Sequence, residues 1–218
     1  MGMAMMGIVV VGIVAPAVLV LILARAVHVA APGPVPAMVI SGIGSMVVAA
    51  VLVHFLVEPG LVTVSRHWPV LPALPMIQGL ALVVLAETLK VWSIRWTLSI
   101  AGGLTWRRFA VLAAWTGAGV AVTQTCLPLF MHGDAAQVAA SVALAPMHVL
   151  SAVVAAWLLW RRMTAAAFGL SIILPALCVA LSVSPAMAWW TAAVIGAAVL
   201  VPAALALSRP DALDRAVP

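Results

Sequence analysis

The chain has 218 residues, 67% of them hydrophobic and 7% charged. So few polar side chains cannot cover the surface of a water-soluble domain. A soluble enzyme or binding module is therefore excluded, and residues 1–218 read as a single membrane-embedded, all-α helical domain. The net charge of +5 comes from basic residues standing mostly at the ends of apolar runs, so it reports orientation in a bilayer and not a nucleic-acid partner.

The first apolar run covers residues 5–24 and ends at Arg25. No Lys or Arg precedes it, and it exceeds the roughly 7–15 apolar residues of a signal-peptide core, so it reads as a transmembrane helix. A Pro/Gly loop at residues 31–36 breaks the chain, since proline removes a backbone donor. A second span, residues 37–57, carries Ser41 and Ser45 at small-xxx-small spacing, which lets helices approach closely. His54 falls near its end, at the interface. Residues 58–69 read as a connection or short interfacial segment, with Trp68 at headgroup level. The third span, residues 71–95, carries Glu87 and Lys90. After a turn at Gly102-Gly103 and Arg107-Arg108 comes a fourth span at residues 109–130, then a fifth at 137–160 containing His148. Spans at 164–183 and 189–207 carry no charge, and a short polar tail closes the chain. About seven spans are expected, each about 20 apolar residues long.

Lys and Arg in short loops fix orientation. Arg25, Arg95, Arg107, Arg108, Arg161, Arg162, Arg209 and Arg215 fall on one side and only Arg66 on the other. That bias places the N-terminus outside and the C-terminus in the cytoplasm of a multi-pass protein of the inner (plasma) membrane. No internal repeat of the transporter kind is visible. Cys126 and Cys178 lie in apolar runs, spaced for neither zinc nor a disulfide framework, and read as small apolar residues.

Three consecutive spans each carry a strongly polar side chain at depth: Glu87, Gln124 and His148, with Thr88, Thr123 and Ser151 beside them. An ionisable group at mid-bilayer costs roughly 2.5 kcal/mol or more, so it is paired, water-exposed or functional. Lys90, three residues after Glu87, offers a local ion pair. The bland reading is a set of interhelical hydrogen bonds that fixes the bundle. The sharper one is the start of a zinc site, since zinc takes carboxylate and imidazole ligands and can activate water at neutral pH.

These stretches, in this order, resemble the motifs of intramembrane metalloproteases of the YhfC and PrsW types, relatives of the CPBP/Abi superfamily. The Glu-Glu-Thr-x-Arg/Lys motif is met by Ala86-Glu87-Thr88-Leu89-Lys90, and Gly-x-Gly-x-Gly-x-x-Glu by the stretch from Gly117 to Gln124. His-x-x-Ser is met by His148-Val149-Leu150-Ser151. The resemblance covers about a third of the chain, residues 85–160. It implies peptide-bond hydrolysis within the bilayer and a zinc ion. Glu87 would be base or ligand, His148 a ligand, and Gln124, Lys90 and Ser151 substrate- or water-positioning groups. Ala86 stands where the family has its first glutamate, Gln124 where it has an acid, Ala121 at the third glycine, and Val120 where YhfC-like members often carry histidine. An amide is a poor zinc ligand and no base. Two other readings stand beside the peptidase. One is a non-catalytic subunit that holds a partner's transmembrane helix. The other is a small transporter whose path Glu87, Lys90 and His148 would line.

Overall fold

The computed structural model describes residues 3–26, 35–67, 74–100, 104–130 and 135–181. The described residues form helices only: α1 (Met3–Ala26), α2 (Val35–Leu52), α3 (Glu58–His67), α4 (Leu74–Ile100), α5 (Trp106–Phe130), α6 (Ala135–Trp160) and α7 (Thr164–Leu181). A π-helical turn, Val53–Val57, joins α2 to α3 without a break, so the helices make six rods. Three stretches, Val35–Thr63, Ile77–Ile100 and Trp106–Leu127, are long and apolar enough to cross a membrane. The protein is a helical membrane protein. The expected seventh span, the polar tail, the side chain of Cys178 and the loops around Trp68, Gly102 and His132 lie outside the described residues.

The bundle is built around α5. Its residues from Phe109 to Ala121 are buried on every side except at Trp115, which is half-buried. A helix apolar all round belongs at a centre, not at a surface. α6 and α2 pack on it over most of their length, and α1 lies against both α5 and α6. α4 closes the side between α2 and α7.

Contacts fix the directions. Met46 and Ala49 of α2 meet Ala86 of α4 and Val120 of α5. Ala24, near the end of α1, meets Val111, near the start of α5. Phe109 of α5 packs on Trp160, the last residue of α6. Sequential rods therefore alternate in direction. Arg25, Arg95, Arg107, Arg108, Arg161 and Arg162 consequently come together at one end of the bundle, while Glu58 lies at the other.

Several boundaries differ from the sequence expectation, α4 ending at Ile100 where the third span was expected to end at 95. α2 begins at Val35, with Pro36 in its first turn, where a missing N–H costs nothing. Residues 58–69 read as a connection or short interfacial segment, and Glu58–His67 is helix continuous with α2. The cause is Pro59, whose ring would clash with the carbonyl four residues back in a tight α-helix. The chain widens by one residue instead, and the Glu58 N–H donates to the Val53 carbonyl five residues back. His54 Nδ1 and Glu58 Oε2, 2.8 Å apart, bridge this turn. His54 is exposed, as an interfacial residue should be.

Candidate functional site

Glu87, Lys90, His148 and Ser151 lie almost wholly buried where α4 meets α6. Gln124 of α5 and Ser171 of α7 complete the group. Glu87 Oε1 pairs with His148 Nδ1 at 2.6 Å, and Oε2 accepts from the Ser171 hydroxyl at 2.6 Å and from the Lys90 ammonium. Lys90 Nζ donates also to Ser151 Oγ at 2.6 Å and to the His148 carbonyl at 3.4 Å. Ser151 in turn donates to that carbonyl at 3.2 Å. The other imidazole nitrogen, Nε2, meets the Gln124 side-chain amide.

The protons can be assigned by counting. Glu87 is the anion and Lys90 the cation, so the cluster is electroneutral if His148 is neutral. Nδ1 then carries the ring proton and donates to Glu87, while Nε2 accepts from the amide NH2 of Gln124. This assignment turns the Gln124 amide so that nitrogen faces the ring, a choice made by the hydrogen-bond network. It avoids a net charge in a low-dielectric interior, which is the costly alternative.

The glycines of the second motif explain how the group assembles. A Cβ at Gly117 would run into the His148 carbonyl and sit 2.8 Å from Val149 Cα. Glycine at this position lets α5 approach α6 at the turn that carries the histidine. Two residues on, Gly119 faces the other way, onto Val39 and Ile43 of α2, and Gly42 of α2 packs back on Thr116 and Gly119. The Gly-x-Gly pair thus sets two crossings, one on each side of the central helix.

The structure brings Glu87, Gln124, His148, Lys90 and Ser151 together, all five residues singled out in the sequence. Thr88 and Thr123 do not join them. Each donates to its own helix, Thr88 to Val84 at 2.6 Å and Thr123 to Gly119 at 2.9 Å. Ser171 was missed, because the sixth span was read as carrying nothing polar of weight. One serine in an apolar helix is an ordinary surface for helix packing, and only its position opposite Glu87 makes it part of the site.

Ala86 and Val120 are the positions where the resemblance implies glutamate and histidine. Both are buried, and both lie in one apolar cluster with Met46 and Ala49 between α2, α4 and α5.

Zinc tests badly against this donor set. A ligand must offer a free lone pair. Both oxygens of Glu87 and both ring nitrogens of His148 are engaged by protein groups, and the Lys90 ammonium touches the carboxylate a cation would need. Among the described residues no group of three or more His, Cys, Asp or Glu side chains gathers at one point. The residues as placed do not fit the metal.

A second feature lies close by. A groove of about 370 Å³ runs between α2 and α4, open along one side. Ser41, Gly44, Ser45 and Val48 line one wall, and Leu89, Ser93 and Thr97 line the other. Ser41 and Ser93 hydroxyls bond across its floor, and Thr97 donates to Met38 sulfur at 3.4 Å. Trp92 and Trp96 stand exposed at its rim. A Cβ on Gly44 would meet nothing within 4 Å.

Comparison of the chain with protein-family models, with curated proteins and with solved structures finds no match.

Proposed function

We propose that the protein is a non-catalytic assembly subunit, built on a scaffold resembling that of the intramembrane metalloproteases, that holds a transmembrane helix of a partner protein. It is a multi-pass protein of the inner (plasma) membrane, with about seven spans, an external N-terminus and a cytoplasmic C-terminus. The observation that carries the reading is the engagement of Glu87 by three protein groups and of both His148 ring nitrogens by two. A hydrolytic centre needs a base or ligand with a free lone pair and room for water. Here each polar atom of both side chains is spent on a neighbouring helix, and Lys90 neutralises the carboxylate. The group ties α4, α5, α6 and α7 together.

The α2–α4 groove is the surface that supports a bound helix. Its small residues permit close backbone approach, and its hydroxyl oxygens, whose protons go to α2 and α4, can accept from a partner. A residue such as Gly44, turned to open space, leaves room for a side chain from outside.

The convergence of Glu87, Gln124 and His148 favours a second reading, the peptidase implied by the resemblance. Metal content separates the two. Protein purified in mild detergent should carry no stoichiometric zinc. A photo-crosslinker at Val48 should capture one partner of fixed stoichiometry, and Gly44→Leu, which fills the groove, should abolish that product. Stoichiometric zinc that disappears in Glu87→Gln or His148→Ala would turn the assignment to the peptidase.

A further inference from the structure

We infer that the arginine end of the α5–α6 pair binds the phosphate of an anionic phospholipid, whose acyl chains lie along the outer face of α7. Trp106 opens α5 and Trp160 ends α6. Both are buried, and their rings stand 6.0 Å apart, with Phe109 against Trp160 at 5.8 Å. This aromatic clamp fixes the first turn of one helix against the last turn of the other. Arg107-Arg108 and Arg161-Arg162 follow the two tryptophans directly, so four arginines fall at this end of the bundle, the Arg161 guanidinium lying over the Trp157 ring at 5.7 Å.

The chemistry there asks for an anion. Cations stabilise the last turn of a helix and are misplaced in the first, where the backbone N–H groups already form the positive pole. Arg107 and Arg108 stand in that first turn. Thr105 caps only part of it, its Oγ1 accepting from Arg108 N at 3.4 Å. Among the described residues the buried Nε of Arg107 has no hydrogen-bond acceptor. Among the described residues the only carboxylates are Glu58, at the opposite end, and Glu87, already saturated. Arg162 adds a further sign. It closes α6 with a left-handed backbone at φ 62°, its N–H on the Leu159 carbonyl at 2.9 Å. Glycine is the usual residue at such a helix end, because a side chain there is strained.

Position decides the source of the phosphate. The site lies at the end of membrane-crossing rods, at the level where headgroups sit, and basic pockets between helices at that level bind anionic lipid heads. Beside the turn, Met163 is exposed, and Leu170, Ile173 and Leu177 form an exposed apolar stripe down α7. That stripe starts about two helical turns below the arginines and accepts the acyl chains.

The test uses the delipidated full chain in detergent, with bound lipid counted by native mass spectrometry and the unfolding midpoint read beside it. Phosphatidylglycerol should bind and raise the midpoint, and phosphatidylcholine should do neither. Each interfacial arginine is worth roughly 1 kcal/mol towards an anionic headgroup, or about fivefold in affinity. Arg107→Gln and Arg162→Gly should each weaken phosphatidylglycerol by about that factor. Arg162→Gly also removes the strained side chain, so it should be at least as stable as the wild type while losing lipid. That opposite movement keeps the test clear of misfolding. Equal binding of both lipids overturns the inference. So does undiminished phosphatidylglycerol binding in Arg162→Gly, or equal stabilisation by inorganic phosphate at the lipid's concentration.

Discussion

Glu87 and Lys90 show why a buried ion pair is poor evidence for stability and good evidence for constraint. Taking two charges out of water costs several kcal/mol each, and their attraction roughly repays it when every remaining lone pair and proton is satisfied. Here they are satisfied, by Ser171, His148 and Ser151. Removing one partner is a different matter. Lys90→Met leaves an anion buried against an imidazole, and the expected loss is about 3–5 kcal/mol. Adding Glu87→Gln to that variant should recover most of the loss, because the uncompensated charge goes with it. Denaturant titration of the wild type, both single variants and the double variant measures the coupling. If the double variant is no more stable than Lys90→Met alone, the pair is not the electrostatic unit described.

At the level of elements, glycines and prolines decide where the rods meet. Gly117 stands where α5 crosses α6, whereas Gly44 faces open space. Filling the two positions should therefore have different consequences. Gly117→Ala forces α5 off the His148 turn and should cost about 1–3 kcal/mol, the usual range for overpacking. Gly44→Leu should leave the unfolding midpoint within error of the wild type. Much of this level was legible in the sequence. The length of each apolar run located the rods, and strong polar residues in three successive runs located the site. The continuation through Pro59 into α3 was not legible, since proline and glycine side by side read as a break. The π-turn that rescues the helix depends on hydrogen bonds that only the folded backbone reveals. Ser171 was hidden for a related reason: one hydroxyl has no meaning until its neighbour across the interface is known. The pairing of Ala86 with Val120 was hidden too, because the sequence places them far apart and only α2 brings them into one cluster.

For the molecule as a whole, charge and contact agree on one arrangement. The contacts alone place Arg25, Arg95, Arg107, Arg108, Arg161 and Arg162 at a single end, with no reference to a bilayer. Arginine bias in short loops marks the cytoplasmic face, since translocating them is opposed during insertion. The two arguments are independent and meet in the proposed topology. In that proposed topology the lipid-phosphate site would fall in the inner leaflet and α3 on the external side. Single cysteines test this directly in a background lacking Cys126 and Cys178. Met163 sits exposed in the α6–α7 turn, and Gly60 is exposed in α3 with nothing within 4 Å of its would-be Cβ. A membrane-impermeant maleimide added to intact cells should label Gly60→Cys and spare Met163→Cys until the membrane is opened. Labelling of Met163→Cys in intact cells would invert the molecule. Labelling of both positions from one side would break the alternation of the rods, and with it the convergence of α4, α5, α6 and α7 on Glu87.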